Sequence, residues 1–69
     1  MLTKEEFVNK VVDYLRKGRE DIISEPRVRD CLQEHTDWID DTYNRYINDV
    51  ETHEDYWISS LGLMIDMSL

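Results

Sequence analysis

Only two glycines and one proline interrupt a chain of 69 residues, so almost every segment is free to propagate a helix. What the sequence decides is where its helices start and stop. Thr3-Lys4-Glu5-Glu6 has the Ser/Thr-x-x-Glu form, in which each end satisfies a backbone donor of the other. Leu2 and Phe7 stand where a hydrophobic staple would pack. Phe7, Val8, Val11, Val12 and Leu15 then recur at helical spacing, with Glu6, Asn9, Lys10, Asp13, Arg16 and Lys17 on the opposite side of the wheel. This predicts an amphipathic helix over residues 4–17. Arg16 and Lys17 suit its negative carbonyl end, and Gly18 can close it in the left-handed conformation.

Arg19-Glu20-Asp21 forms a charged connector, after which Ile22 and Ile23 are expected to return to the core. Ser24-Glu25-Pro26 places a cap and an early proline where a helix tolerates both. Val28, Cys31, Leu32 and His35 mark a helix over 25–35. Thr36 or Asp37 opens a third, over 37–51, whose apolar stripe is Ile39, Tyr43, Tyr46, Ile47 and Val50 with Trp38 at its edge. Trp57, Ile58, Leu61, Met64 and Ile65 give a fourth over 53–66, weakened by Gly62 and capped near Thr52-His53-Glu54-Asp55. The spacing of Tyr43, Tyr46, Val50, His53 and Trp57 also allows the third helix to run through Thr52 into the tail. The expected fold is all-α, a small bundle of three or four short helices, with residues 1–69 forming a single acidic helical domain.

In a chain of this size, burial returns roughly what ordering the backbone costs, so its apolar segments matter. The segment from Tyr56 to Leu69 carries one charge, Asp66. It is expected to close the bundle, with self-association into a homodimer or the docking of a partner as the alternative. Cys31 is the sole cysteine, which excludes an intramolecular disulfide framework and fits a reducing compartment. The opening residues lack the basic-then-apolar run of a signal peptide, and no apolar stretch is long enough to cross a bilayer as a helix. A cytoplasmic protein without a membrane partner is expected, in the host-cell cytoplasm if a phage encodes it.

The charge is unevenly divided. Asp and Glu number 16 against 8 Lys and Arg, a formal charge of -8. Residues 1–29 total +1, and residues 30–69 total -9 with Arg45 as their one cation. That balance opposes direct contact with nucleic acid, since phosphate binders neutralise their ligand with excess Lys and Arg. With the apolar stripe of the third helix turned inward, Asp37, Asp41, Glu51 and Asp55 fall on its far side beside Asn44 and Asn48, flanked by Asp40 and Asp49. Asp30 and Glu34 extend the row on the preceding helix, and Glu54 adjoins its far end. Residues four apart are about 6 Å apart along a helix axis, the order of successive phosphates on one strand. Like charges at that spacing cost a few tenths of a kcal/mol each, so stability does not favour the row. The alternative reading is a solvated helix face. Arg16, Lys17, Arg19, Arg27 and Arg29 are read as balancing helix ends and pairing with Glu20, Asp21 and Glu25.

Reactive chemistry has little support. Cys31 with His35, and Asp49 with His53, share the i, i+4 spacing of metal-ligand pairs, yet no Cys-x-x-Cys or His-Glu-x-x-His pattern occurs. Residues 37–44 are acidic but lack the alternating ligands and central glycine of a calcium loop. Cys31 with His35 or His53 as a nucleophile pair would need an orienting group and a pocket that few short helices provide. No catalytic, metal or cofactor residue is assigned, and no enzymatic activity is expected.

The remaining reading is a non-enzymatic acidic inhibitor. Asp30, Glu34, Asp37, Asp40, Asp41, Asp49, Glu51, Glu54 and Asp55 would occupy a basic, nucleic-acid-binding surface of a partner protein. In composition the chain is similar to phage and plasmid inhibitors that imitate nucleic acid, such as anti-CRISPR and anti-restriction proteins. Over Thr3, Glu5, Glu6, Phe7 and Val8 it resembles the opening helix of colicin immunity proteins, which implies, as an alternative, an immunity-type inhibitor of a basic toxin. A structural or regulatory helical subunit assembling through its apolar tail is the third class.

Overall fold

The computed structural model describes residues 1–51 and 53–69. Four helices follow one another, α1 (Lys4–Arg16), α2 (Glu25–Glu34), α3 (Thr36–Ile47) and α4 (Glu54–Asp66), with no strand among the described residues. The all-α bundle expected from the sequence is thus the observed architecture. Cap chemistry sets the starts of α1 and α2. Glu6 N–H donates to Thr3 Oγ1 at 3.1 Å while Thr3 N–H donates to Glu6 Oε1 at 2.8 Å, the reciprocal capping box. Arg27 N–H donates to Ser24 Oγ at 3.3 Å, with Pro26 in the first turn of α2.

α1 stops because Gly18 takes φ 75°, a backbone region nearly closed to residues with a Cβ. Arginine donors serve the carbonyl freed at the end of α1 and one in the connector that follows. Arg19 Nη2 donates to Leu15 O at 2.9 Å, and Arg16 Nε to Ile23 O at 2.9 Å. Ile23 is thereby held in the core, whereas Ile22, expected there too, is 75% exposed.

α1 is the hub. Phe7, Val11, Val12 and Leu15 are essentially inaccessible, and they share one core with Val28 and Leu32 of α2, Ile39 and Tyr46 of α3, and Ile58, Leu61 and Ile65 of α4. Phe7 stacks on Tyr46 with centroids 5.4 Å apart and meets Tyr43 edge-on at 5.7 Å. Both tyrosines also clamp the start of the chain: Leu2 N–H donates to Tyr46 Oη, and Tyr43 Oη donates to Leu2 O, each at 2.9 Å.

α3 departs from expectation. It ends at Ile47 rather than 51, so the stripe loses its last members: Ile47 is exposed and Val50 is 97% exposed. Thr42 takes the inner position beside Ile39 and Tyr46. α3 and α4 are separate helices. The cap expected at Thr52 lies outside the described residues, and His53 immediately precedes α4.

Gly62 is part of the packing, not a weak point in α4. It is buried, and a Cβ there would overlap the ring of Tyr14 from α1. Helix propensity favours alanine over glycine by about 1 kcal/mol, while overpacking typically costs about 1–3 kcal/mol. Gly62→Ala is therefore expected to lower stability by about 1 kcal/mol. In a Tyr14→Ala background the same change is expected to raise it by about 1 kcal/mol. Denaturant unfolding of the four proteins of this cycle measures both effects.

Candidate functional site

The proposed acidic row is divided among four segments. Asp30 and Glu34 lie on α2, Asp37, Asp40 and Asp41 on α3, Asp49 and Glu51 in the following turn, and Glu54 and Asp55 at the start of α4. A single helical row from Asp37 to Asp55 does not form, because α3 ends at Ile47. Asp49 supplies the physical reason. Its carboxylate accepts from the Trp57 indole Nε1 at 2.8 Å, from His53 N–H at 3.0 Å and from Glu51 N–H at 3.2 Å. An aspartate that satisfies backbone donors beyond itself offers the chain an alternative to the helical ladder. The indole bond then ties the turn to α4.

Asp49 is thus a positioning residue for the α3–α4 junction, and its side chain is mostly covered. The hydrogen bond from Trp57, joined by those from the backbone of His53 and Glu51 and by the nearby His53, holds its pKa down to about 2. His53 bridges the turn further, with Nδ1 at 3.2 Å from Asp49 and Nε2 at 3.1 Å from Glu51.

Internal cations take up three more of the nine acids. Lys4 of α1 pairs with Asp40, Lys10 with Glu54 at 3.4 Å, and Arg45 with Asp41 at 3.2 Å one turn away. The charge split between the two halves is partly an internal match of α1 against α3 and α4. Arg19 adds Asp66 at 3.1 Å. The basic cluster behaves as read at Glu25 alone, which accepts from Arg29 at 2.9 Å and stands 3.9 Å from Arg16. Glu20 and Asp21, expected as further partners, form no ion pair among the described residues.

Asp30, Glu34 and Asp37 are exposed and have no cationic partner among the described residues. With Asp41 they make two i, i+4 pairs, on helices joined through His35 alone. On each helix the pair faces away from the core residues, Val28 and Leu32 on α2 and Ile39, Thr42 and Tyr46 on α3. His35 lies flat against Trp38, centroids 3.8 Å apart, so this imidazole is occupied by stacking at the bend between the pairs.

The residues weighed for chemistry do not converge. Cys31 is half-buried, and burial, reinforced by the charge of Glu34, pushes its thiol pKa up. That disfavours the thiolate a nucleophile or metal ligand requires. Among the described residues no three His, Cys, Asp or Glu side chains are grouped to hold a metal ion. One feature escaped the sequence reading: an open groove where α1 meets α4, bordered by Lys10, Asp13, Tyr14, Lys17, Asp55 and Ile58. Its charges are of both signs, and Tyr14, which lines it, also lies over Gly62, a contact that no local pattern signals.

Comparison with family models, with curated proteins and with solved structures gives no match. No helix among the described residues is long and apolar enough to cross a membrane.

A depressed carboxylate pKa means the folded state binds the ionised form more strongly, so Asp49 contributes its stabilisation fully above about pH 4, the ordinary aspartate range. The contribution is lost as the pH falls toward 2. The difference in thermal midpoint between the wild type and Asp49→Ala is expected to be largest near neutrality and to close between about pH 4 and pH 2. A difference that persists at pH 2 would show that the charge on Asp49 is not what holds the turn.

Proposed function

We propose that this chain is a non-enzymatic acidic binding protein whose α2–α3 face, Asp30, Glu34, Asp37 and Asp41, occupies a basic surface on another protein, of the kind that otherwise binds nucleic acid. The observation that carries this reading is an unrelieved pairing of like charges. Six of the eight Lys and Arg side chains meet a carboxylate within the chain, and of the acids left without a cation among the described residues, Asp30, Glu34 and Asp37 are the ones that stand one helical turn from another carboxylate on a face turned from the core. Paired like charges one turn apart raise the energy of the free protein slightly. A cationic counterpart removes that cost and adds electrostatic steering to the encounter.

The proposal is narrower than the row of nine. Asp49, Glu51, Glu54 and Asp40 have internal roles, and Asp55 stands apart on α4. Asp41 is shared between Arg45 and solvent. Because the free acids are exposed and exchange water readily, binding is expected to fall steeply with ionic strength.

Wild-type protein and Glu34→Lys/Asp37→Lys protein, immobilised side by side and exposed to extract from the native host, test the proposal. Both variant positions are exposed, so helicity by circular dichroism should be unchanged. The expected outcome is a protein held by the wild type, lost by at least about tenfold on the reversed variant, and displaced by added duplex DNA. A partner held equally by both surfaces overturns the assignment of the face. One lost on reversal but not displaced by DNA points to the immunity-type reading instead.

A further inference from the structure

α4 closes the bundle with one face and leaves the opposite one apolar. Ile58, Leu61, Gly62 and Ile65 are buried against the core. At 100° per residue, the direction opposite to them is taken by Tyr56, Ser60, Leu63 and Met67. Tyr56, Leu63 and Met67 are 62%, 56% and 89% exposed, and Ser60 is half-covered between them. Three large side chains thus surround a shallow hole. Their four-three-four spacing is that of a coiled-coil seam, and Met67 N–H still donates to Leu63 O at 3.2 Å, so the stripe is helical to its end.

We propose that this stripe binds a second copy of the chain, the two α4 helices lying antiparallel about a twofold axis. The stripe is complementary to itself in that arrangement. Reflected about a point between Leu61 and Gly62, Leu63 falls on Ser60 of the other copy and Tyr56 on Met67, so each large or flexible side chain meets one that can receive it, twice over. Charge selects the same solution. Each copy carries -8, and two such chains approach with least repulsion along the one outward helical stripe that bears no carboxylate. Antiparallel packing opposes the helix dipoles and sets Glu54 and Asp55 of one copy far from their counterparts, and Asp66, the acid of the other copy that comes nearest to Asp55, is already paired with Arg19. A basic partner would find nothing on this stripe to complement its charge. The area available is on the order of 500 Å² per copy, about 1,000 Å² in all, the lower end for a specific interface. Association is therefore weak, and it does not depend on the reading given above for the acidic face.

Sedimentation equilibrium from about 10 µM to about 1 mM, a range that brackets weak interfaces, is the first test. A monomer–dimer equilibrium is expected, and it should tighten as added salt screens the repulsion between copies. Attachment of the acidic face to a basic partner should weaken under the same change, so the two surfaces are read separately. Leu63→Asp is expected to weaken dimerisation at least about tenfold with helicity unchanged, since the side chain points away from the core. The geometry is tested in a Cys31→Ser background. Like positions at the stripe ends lie about 16 Å apart along the axis in the antiparallel pair, so neither Tyr56→Cys nor Met67→Cys alone should form an intermolecular disulfide, while a mixture of the two should. A monomer at every concentration, which would leave the stripe to some other occupant, overturns the proposal. So does a dimer indifferent to Leu63→Asp, or one in which Met67→Cys links to itself.

Discussion

The inner face of α1 is the constraint on which the rest of the molecule depends. Phe7, Val11, Val12 and Leu15 lie in the one core that all four helices share, and among the described residues no other helix offers four fully buried large side chains. In a chain that barely balances conformational entropy by burial, the buried stripes of the other three helices gain their stabilisation by covering this face. The two tyrosines of α3 extend it by binding both backbone groups of Leu2, which fixes the entry of α1 where termini usually fray.

A second constraint acts at the α3–α4 junction, where Asp49 sets the geometry. By collecting two backbone donors and an indole donor, it converts what periodicity would carry on as one rod into two helices that fold back on each other. The consequence for function is direct. A rod would have displayed its carboxylates in one line, whereas the turn distributes them and consumes one of them. The like-charge pairs that remain, Asp30 with Glu34 and Asp37 with Asp41, belong to α2 and the first half of α3.

Charge and apolar surface are also segregated in space. Cations of α1 and its following loop neutralise acids of α3 and α4, so the large formal imbalance between the two halves overstates the field at the surface. Asp30, Glu34 and Asp37 of α2 and α3 are among the acids left without a cation among the described residues, while the outward stripe of α4 carries no charge. The two proposed surfaces differ in kind, one acidic and the other uncharged and apolar.

Local chemistry was legible in the residues themselves. The Thr3–Glu6 box, the Ser24 cap with Pro26, the left-handed Gly18 and the inner stripe of α1 each act within one or two turns, so spacing alone specifies them. The all-α class follows from the same signals. Tertiary structure decided what depends on residues distant in sequence or on competition between equally periodic readings. Val50 and Ile22 fit an apolar pattern yet lie outside because turns redirect them. Gly62 reads as a flaw until the Tyr14 ring is placed over it. Asp49 reads as one more acid in a row until Trp57 is brought to it. Burial, ion pairing and surface are properties of neighbours, and periodicity counts only residues along the chain.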